Sequence, residues 1–76
     1  MTDKELIREL LKLRGWSQAD LAHEAGFPSQ SNIAGLLNNN KSGMRFDNLY
    51  RLIHAMGCEI VVKDKMGSGK EWKVEL

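Results

Sequence analysis

The sequence predicts a mostly α fold, about four helices followed by a C-terminal β-hairpin, in one small domain of 76 residues. Three observations carry that expectation. Apolar residues recur at helical spacing in four segments before Gly57. Gly15, Gly26 and Gly57 stand where such segments stop. Beyond Gly57 the apolar period changes to two.

The first helix, from Asp3 to Arg14, follows from Leu6, Leu10 and Leu13 with Ile7 beside them, and Thr2 and Glu5 stand at capping-box spacing. Gly15 ends it. Ser17 in "SQAD" caps a second helix that reaches Ala25 and turns Leu21, Ala22 and Ala25 inward. Gly26 suits a left-handed turn, and Pro28 discourages Phe27 from extending the helix. Ser29 is placed to cap a third helix, with Ile33, Leu36 and Leu37 on one side and Ser31, Gly35 and Asn38 on the other. "NNNKSG" reads as a loop. Phe46, Leu49, Leu52, Ile53 and Met56 then mark a fourth helix ending at Gly57, and these residues with Trp16 form the expected core.

"CEIVVKD" and "EWKVEL" read as strands joined by "KMGSGK", with Trp72, Val74 and Leu76 alternating with Lys73 and Glu75. A two-stranded hairpin is marginal alone. Its apolar face must therefore cover the helices or meet another copy, which makes Ile60, Val62, Trp72 and Val74 candidate dimer contacts. The chain divides accordingly into residues 1–57 and a hairpin element, 58–76.

Composition narrows the function. The lone Cys58 excludes an internal disulfide, and neither His23 nor His54 stands at metal-ligand spacing with it, so no metal or other cofactor is expected. Cys58 reads as a small apolar residue, with redox sensing as the alternative. No apolar run is long enough to cross a membrane and "TDKEL" is not a secretory leader, so a cytoplasmic location is expected. No nucleophile accompanies either histidine, and "GSGK" lacks the spacing of a phosphate loop, so no enzymatic activity is expected. Trp16 and Trp72 read as core or interface residues.

A net charge of +1 does not announce a nucleic-acid binder, but its distribution is uneven. Glu24 and Asp47 are consecutive acids, so positions 25–46 carry no carboxylate while holding Lys41 and Arg45. Such a gap fits a surface that meets phosphates; chance is the alternative. The same stretch contains "PSQSNIAGLL", a helical segment whose polar residues and central glycine do not serve helix stability. Gly35 alone costs about 1 kcal/mol relative to alanine.

"WSQADLAHEAGF" and "SNIAGLLN", followed by "LYRLIHAMG", resemble the Cro and phage-repressor type of helix-turn-helix protein, the XRE family, over roughly residues 4–57. The resemblance implies a lambda-repressor-like domain in which a tight turn sets the second of two helices in the major groove of double-stranded DNA. It implies that Gln30, Ser31, Asn32 and Gly35 lie at base edges. Gln and Asn suit adenine, and glycine permits close approach. It also implies that Gln18 contacts the DNA backbone or supports its neighbour, and that Lys41 and Arg45 meet phosphates beside the start of the fourth helix. The expected role is a transcriptional regulator, a repressor acting as a homodimer. The alternative is an antitoxin-type module whose main partner is a toxin protein and which represses its own promoter.

Other readings stand beside these. Ser29 only caps, Gln30 is solvated surface, Gly35 permits packing against another helix, and Lys41 is a solvated loop lysine. One departure from the family pattern matters: Ala22 to Ile33 spans eleven positions, one more than usual, with the extra residue in "FPS". It bears on which of Gln30, Ser31 and Asn32 reaches which base.

Overall fold

A computed structural model of the chain describes residues 1–38 and 43–76. Helix α1 covers Asp3–Arg14, α2 Gln18–Ala25, α3 Gln30–Asn38 and α4 Phe46–Ala55. Local chemistry starts them. The Thr2 hydroxyl accepts from the Glu5 amide at 3.2 Å. Only this half of the expected box forms. At α2 the box is complete: the Ser17 hydroxyl accepts from the Asp20 amide at 3.1 Å, and the Asp20 carboxylate from the Ser17 amide at 2.8 Å.

Helices α1, α2 and α4 end alike. After the closing glycine, Trp16, Phe27 and Cys58 donate their amides back to Leu11, Ala22 and Ile53 at 3.0, 2.9 and 3.1 Å. These bonds satisfy carbonyls that a helix end leaves open. Arginines from other helices supply further donors. Arg8 reaches the Leu37 carbonyl at 2.9 Å, Arg14 the Met56 carbonyl at 3.0 Å and Arg51 the Ala25 carbonyl at 2.7 Å. The ends of α3, α4 and α2 are thus each tied to another helix by a cation of the sign their dipoles favour.

Helix α2 packs against α3 and α4, and α1 against α4. Ile7, Leu21, Ile33, Leu37, Leu52 and Met56 are fully buried where they meet, with Leu11, Ala22, Ala25 and Ile53 around them. Trp16 and Leu49 pack on this cluster from its edge. The core differs from the expected one at two places. On α1 the buried row is Ile7–Leu11, while Leu6 and Leu10 are half-buried and Leu13 is exposed. Phe46 is half-exposed. A helix on the outside of a small core buries one stripe, here the one that carries Ile7 and Leu11.

Strands β1 (Ile60–Lys63) and β2 (Glu71–Val74) pair antiparallel, with Ile60 opposite Val74 and Val62 opposite Trp72. At the turn, the Asp64 carboxylate accepts from the Ser68 hydroxyl and from the amide of Met66 at 2.8 Å. These bonds hold its pKa below the usual carboxylate value. The apolar face of the hairpin covers the helices only at its base: Ile60 packs on the core, while Val62 and Trp72 stay half-exposed. No helix among the described residues is long and apolar enough to cross a membrane.

Candidate nucleic-acid interface

Four residues, Gly26 to Ser29, connect α2 to α3. All of "FPS" lies in this connection, outside both helices. Gly26 adopts φ 77°, a conformation that residues with a Cβ rarely take. Arg51 closes over this turn. Its Nε donates to the Ala25 carbonyl at 2.7 Å, its Nη2 to the Gly26 carbonyl at 3.0 Å, and its guanidinium lies 4.0 Å from the centre of the Phe27 ring. A Cβ on Gly26 would stand 3.3 Å from that Nη2. The turn after α2 is thus tied to α4 by a residue that sequence reasoning passed over. The available signal was an arginine inside the apolar spacing of "LYRLIHAMG".

Gln30, Ser31, Asn32 and Gly35 are all exposed on α3, and Ile33 and Leu37 beneath them are buried. Gln30 is the first residue of the helix. The cap differs in its bonds from the expected one: the Ser29 hydroxyl pairs with the Ser31 hydroxyl at 2.6 Å. The Asn32 side-chain oxygen instead accepts from the Ser29 amide at 3.2 Å. Asn32 therefore closes the helix start with its oxygen and keeps its amide donors for a partner. Arg8 bonds the Asn38 side-chain oxygen at 3.2 Å, at the far end of the helix.

A Cβ built on Gly35 meets nothing within 4 Å. Packing against another described helix is therefore not the reason for glycine here. The helix bears no acidic residue, so its outer face carries hydroxyl, amide and bare backbone.

Gln18 opens α2 and is half-buried. Arg45 stands at the N-cap of α4 without a side-chain cap; its side chain is 81% exposed and pairs with Asp47 at 3.1 Å. Such a surface pair is weak and exchangeable. Lys41 lies outside the described residues. Since Arg8, Arg14 and Arg51 are engaged at helix ends, Arg45 is the cation that the described chain offers between α3 and α4. Among the described residues, no three His, Cys, Asp or Glu side chains gather as a metal site.

The family model of the Cro/C1-type HTH DNA-binding domain matches residues 6–61, which takes in all of α2, α3, the turn between them and α4. No curated protein and no solved structure matches.

Proposed function

The chain belongs to the Cro/C1-type helix-turn-helix DNA-binding family, and on that premise we propose that it is a sequence-specific transcriptional regulator, a cytoplasmic repressor that occupies an inverted-repeat operator as a homodimer. One observation carries the reading. The exposed face of α3 is free of carboxylates and contains a glycine that no described contact requires. Such a face suits the major groove, where acids are repelled and close backbone approach has value.

In this mechanism Gln30 pairs with a base edge, adenine being its best match, while Ser31 and the Asn32 amide add donors beside it. Gly35 lets the helix backbone approach. Gln18, Lys41 and Arg45 fix the register on phosphates, with Arg45 leaving Asp47 to do so. Arg51 acts at a distance from the DNA by holding the turn. Residues 1–57 read the half-site, and the hairpin of 58–76 joins two copies through Ile60, Val62, Trp72 and Val74. The two half-sites then lie about one helical turn, roughly 34 Å, apart.

The test compares the Gln30→Ala, Ser31→Ala double variant with the parent protein on a selected operator and on random duplex. Base reading predicts a loss on the operator of tenfold or more, on the order of 1–3 kcal/mol per base contact, with little change on random duplex. Equal losses on both would refute it. Retention of a small toxin protein, with no DNA preference, would favour the antitoxin role.

A further inference from the structure

Helix α1 carries two apolar stripes, and the core takes one of them. Ile7 and Leu11 are buried, whereas Leu6 and Leu10 are half-buried and Leu13 is 71% exposed. On this outer side lies a depression of about 410 Å³ lined by Leu6, Glu9, Leu10, Lys12 and Leu13, all from α1 itself. Leu6, Glu9, Leu10 and Leu13 stand at i, i+3, i+4 and i+7, the four corners of a hole that receives one side chain of a facing helix. The surface is therefore shaped for a helix.

We propose that the occupant is α1 of a second copy, lying antiparallel about a two-fold axis midway between Glu9 and Leu10. An axis at that level sets Leu6 against Leu13 of the second copy and places each Leu10 at the centre of the other hole, so the contact closes as a pair. It is a second contact, separate from the hairpin: added to a hairpin dimer it joins dimers into tetramers, and alone it gives a dimer. Three leucines per copy make a small interface, so association belongs at protein concentrations of roughly 0.1 mM and above.

Charge selects a second copy in this orientation. At about 100° per residue, Glu5, Glu9 and Lys12 fall on one flank of the leucine row, and the buried Ile7–Leu11 stripe lies on the other. The two-fold axis keeps like flanks together. At about 1.5 Å of rise per residue, Lys12 comes level with the midpoint between Glu5 and Glu9 of the second copy, about 3 Å along the axis from each. None of these three side chains takes part in an ion pair among the described residues. A parallel pair would set this flank against the opposite one, where Asp3 already accepts from the Met44 amide at 2.6 Å and Arg14 donates to the Met56 carbonyl at 3.0 Å.

The experiment uses the full chain without DNA, so its outcome is independent of base reading by α3. In a Cys58→Ser background, Leu10→Cys should cross-link to itself on oxidation, because both copies place it near the axis. Leu6→Cys and Leu13→Cys should cross-link poorly alone, with equivalent positions about 10 Å apart along the axis, and readily when mixed. A dominant 13-to-13 cross-link, or none from Leu10→Cys, would overturn the proposal.

Sedimentation equilibrium at up to about 1 mM protein supplies the second readout. Lys12→Glu leaves three acids on the flank, and Glu5→Lys with Glu9→Lys leaves three bases. Each variant should associate by α1 about tenfold more weakly than the parent, and their equimolar mixture should regain the parent's association, because acids then face bases throughout. All three positions are exposed and lie outside the hairpin, and a thermal melt checks that each variant folds. Failure of the hairpin reading would lower the mass of every sample and leave this charge dependence in place. A mixture that associates no more tightly than either variant alone, or variants that associate as tightly as the parent, would overturn the proposal.

Discussion

Replacing Gly35 with alanine should stabilise the fold and weaken its function. Gly35 sits in the middle of the nine-residue α3, is exposed, and has room for a Cβ, with nothing within 4 Å. The substitution therefore adds no clash and only reduces the conformational freedom of the unfolded chain. The gain is about 0.5–1 kcal/mol. For a domain of this size, 1 kcal/mol moves the melting temperature by roughly 4–8 °C, so a rise of about 2–8 °C by circular dichroism is expected. On the proposed reading, the added methyl group stands where the α3 backbone approaches base edges in the groove. Affinity for a selected operator should fall about tenfold or more, equivalent to roughly 1.4 kcal/mol, while random duplex binding changes little. A stabilised variant with full operator affinity would refute the role assigned to Gly35. A lowered melting temperature would refute the reading of its surroundings.

Arg51→Ala removes two hydrogen bonds to the turn and the cation over Phe27, and should cost about 1–3 kcal/mol in urea unfolding. Arg51→Lys should recover little, because an ammonium cannot reproduce the guanidinium fork; full recovery would show that charge alone suffices. Arg45→Ala should weaken binding to all DNA sequences and reduce the salt dependence by about one counterion, and an unchanged slope would remove Arg45 from the phosphate contacts. The folded-state pKa of Asp64 lies below its ordinary value of 3.8, first because of the Ser68 hydroxyl and then the Met66 amide. Its contribution to the hairpin turn is therefore complete above that ordinary value and lost as pH falls through the lower folded value. Amide shifts of Met66 and Ser68 should report that step in the parent and not in Asp64→Asn.

What was legible in the sequence is what neighbours along the chain decide. Ser17 with Asp20, the closing glycines and the change of period after Gly57 gave α1 to α4 and the hairpin, because caps and turns are made within a few residues. The buried face of α1 was not legible in this way. Leu6–Leu10–Leu13 and Ile7–Leu11 are both apolar at helical spacing, and only the packing of the other helices decides between them. The arginines were hidden for a related reason: the carbonyls that Arg8, Arg14 and Arg51 meet lie 25 to 42 positions away. At the site, the polar face of α3 was visible as composition, whereas the division of labour between Ser29, Ser31 and Asn32 depends on which of several short side chains wins the helix start.

Selection from a random duplex library by the full chain, with the winners compared against unrelated DNA at physiological salt, tests the central claim most directly. The account predicts enrichment of an inverted repeat with half-sites about one helical turn apart, and operator binding about a thousandfold or more tighter than random duplex. A folded protein that enriches no sequence and binds all duplexes alike would contradict it.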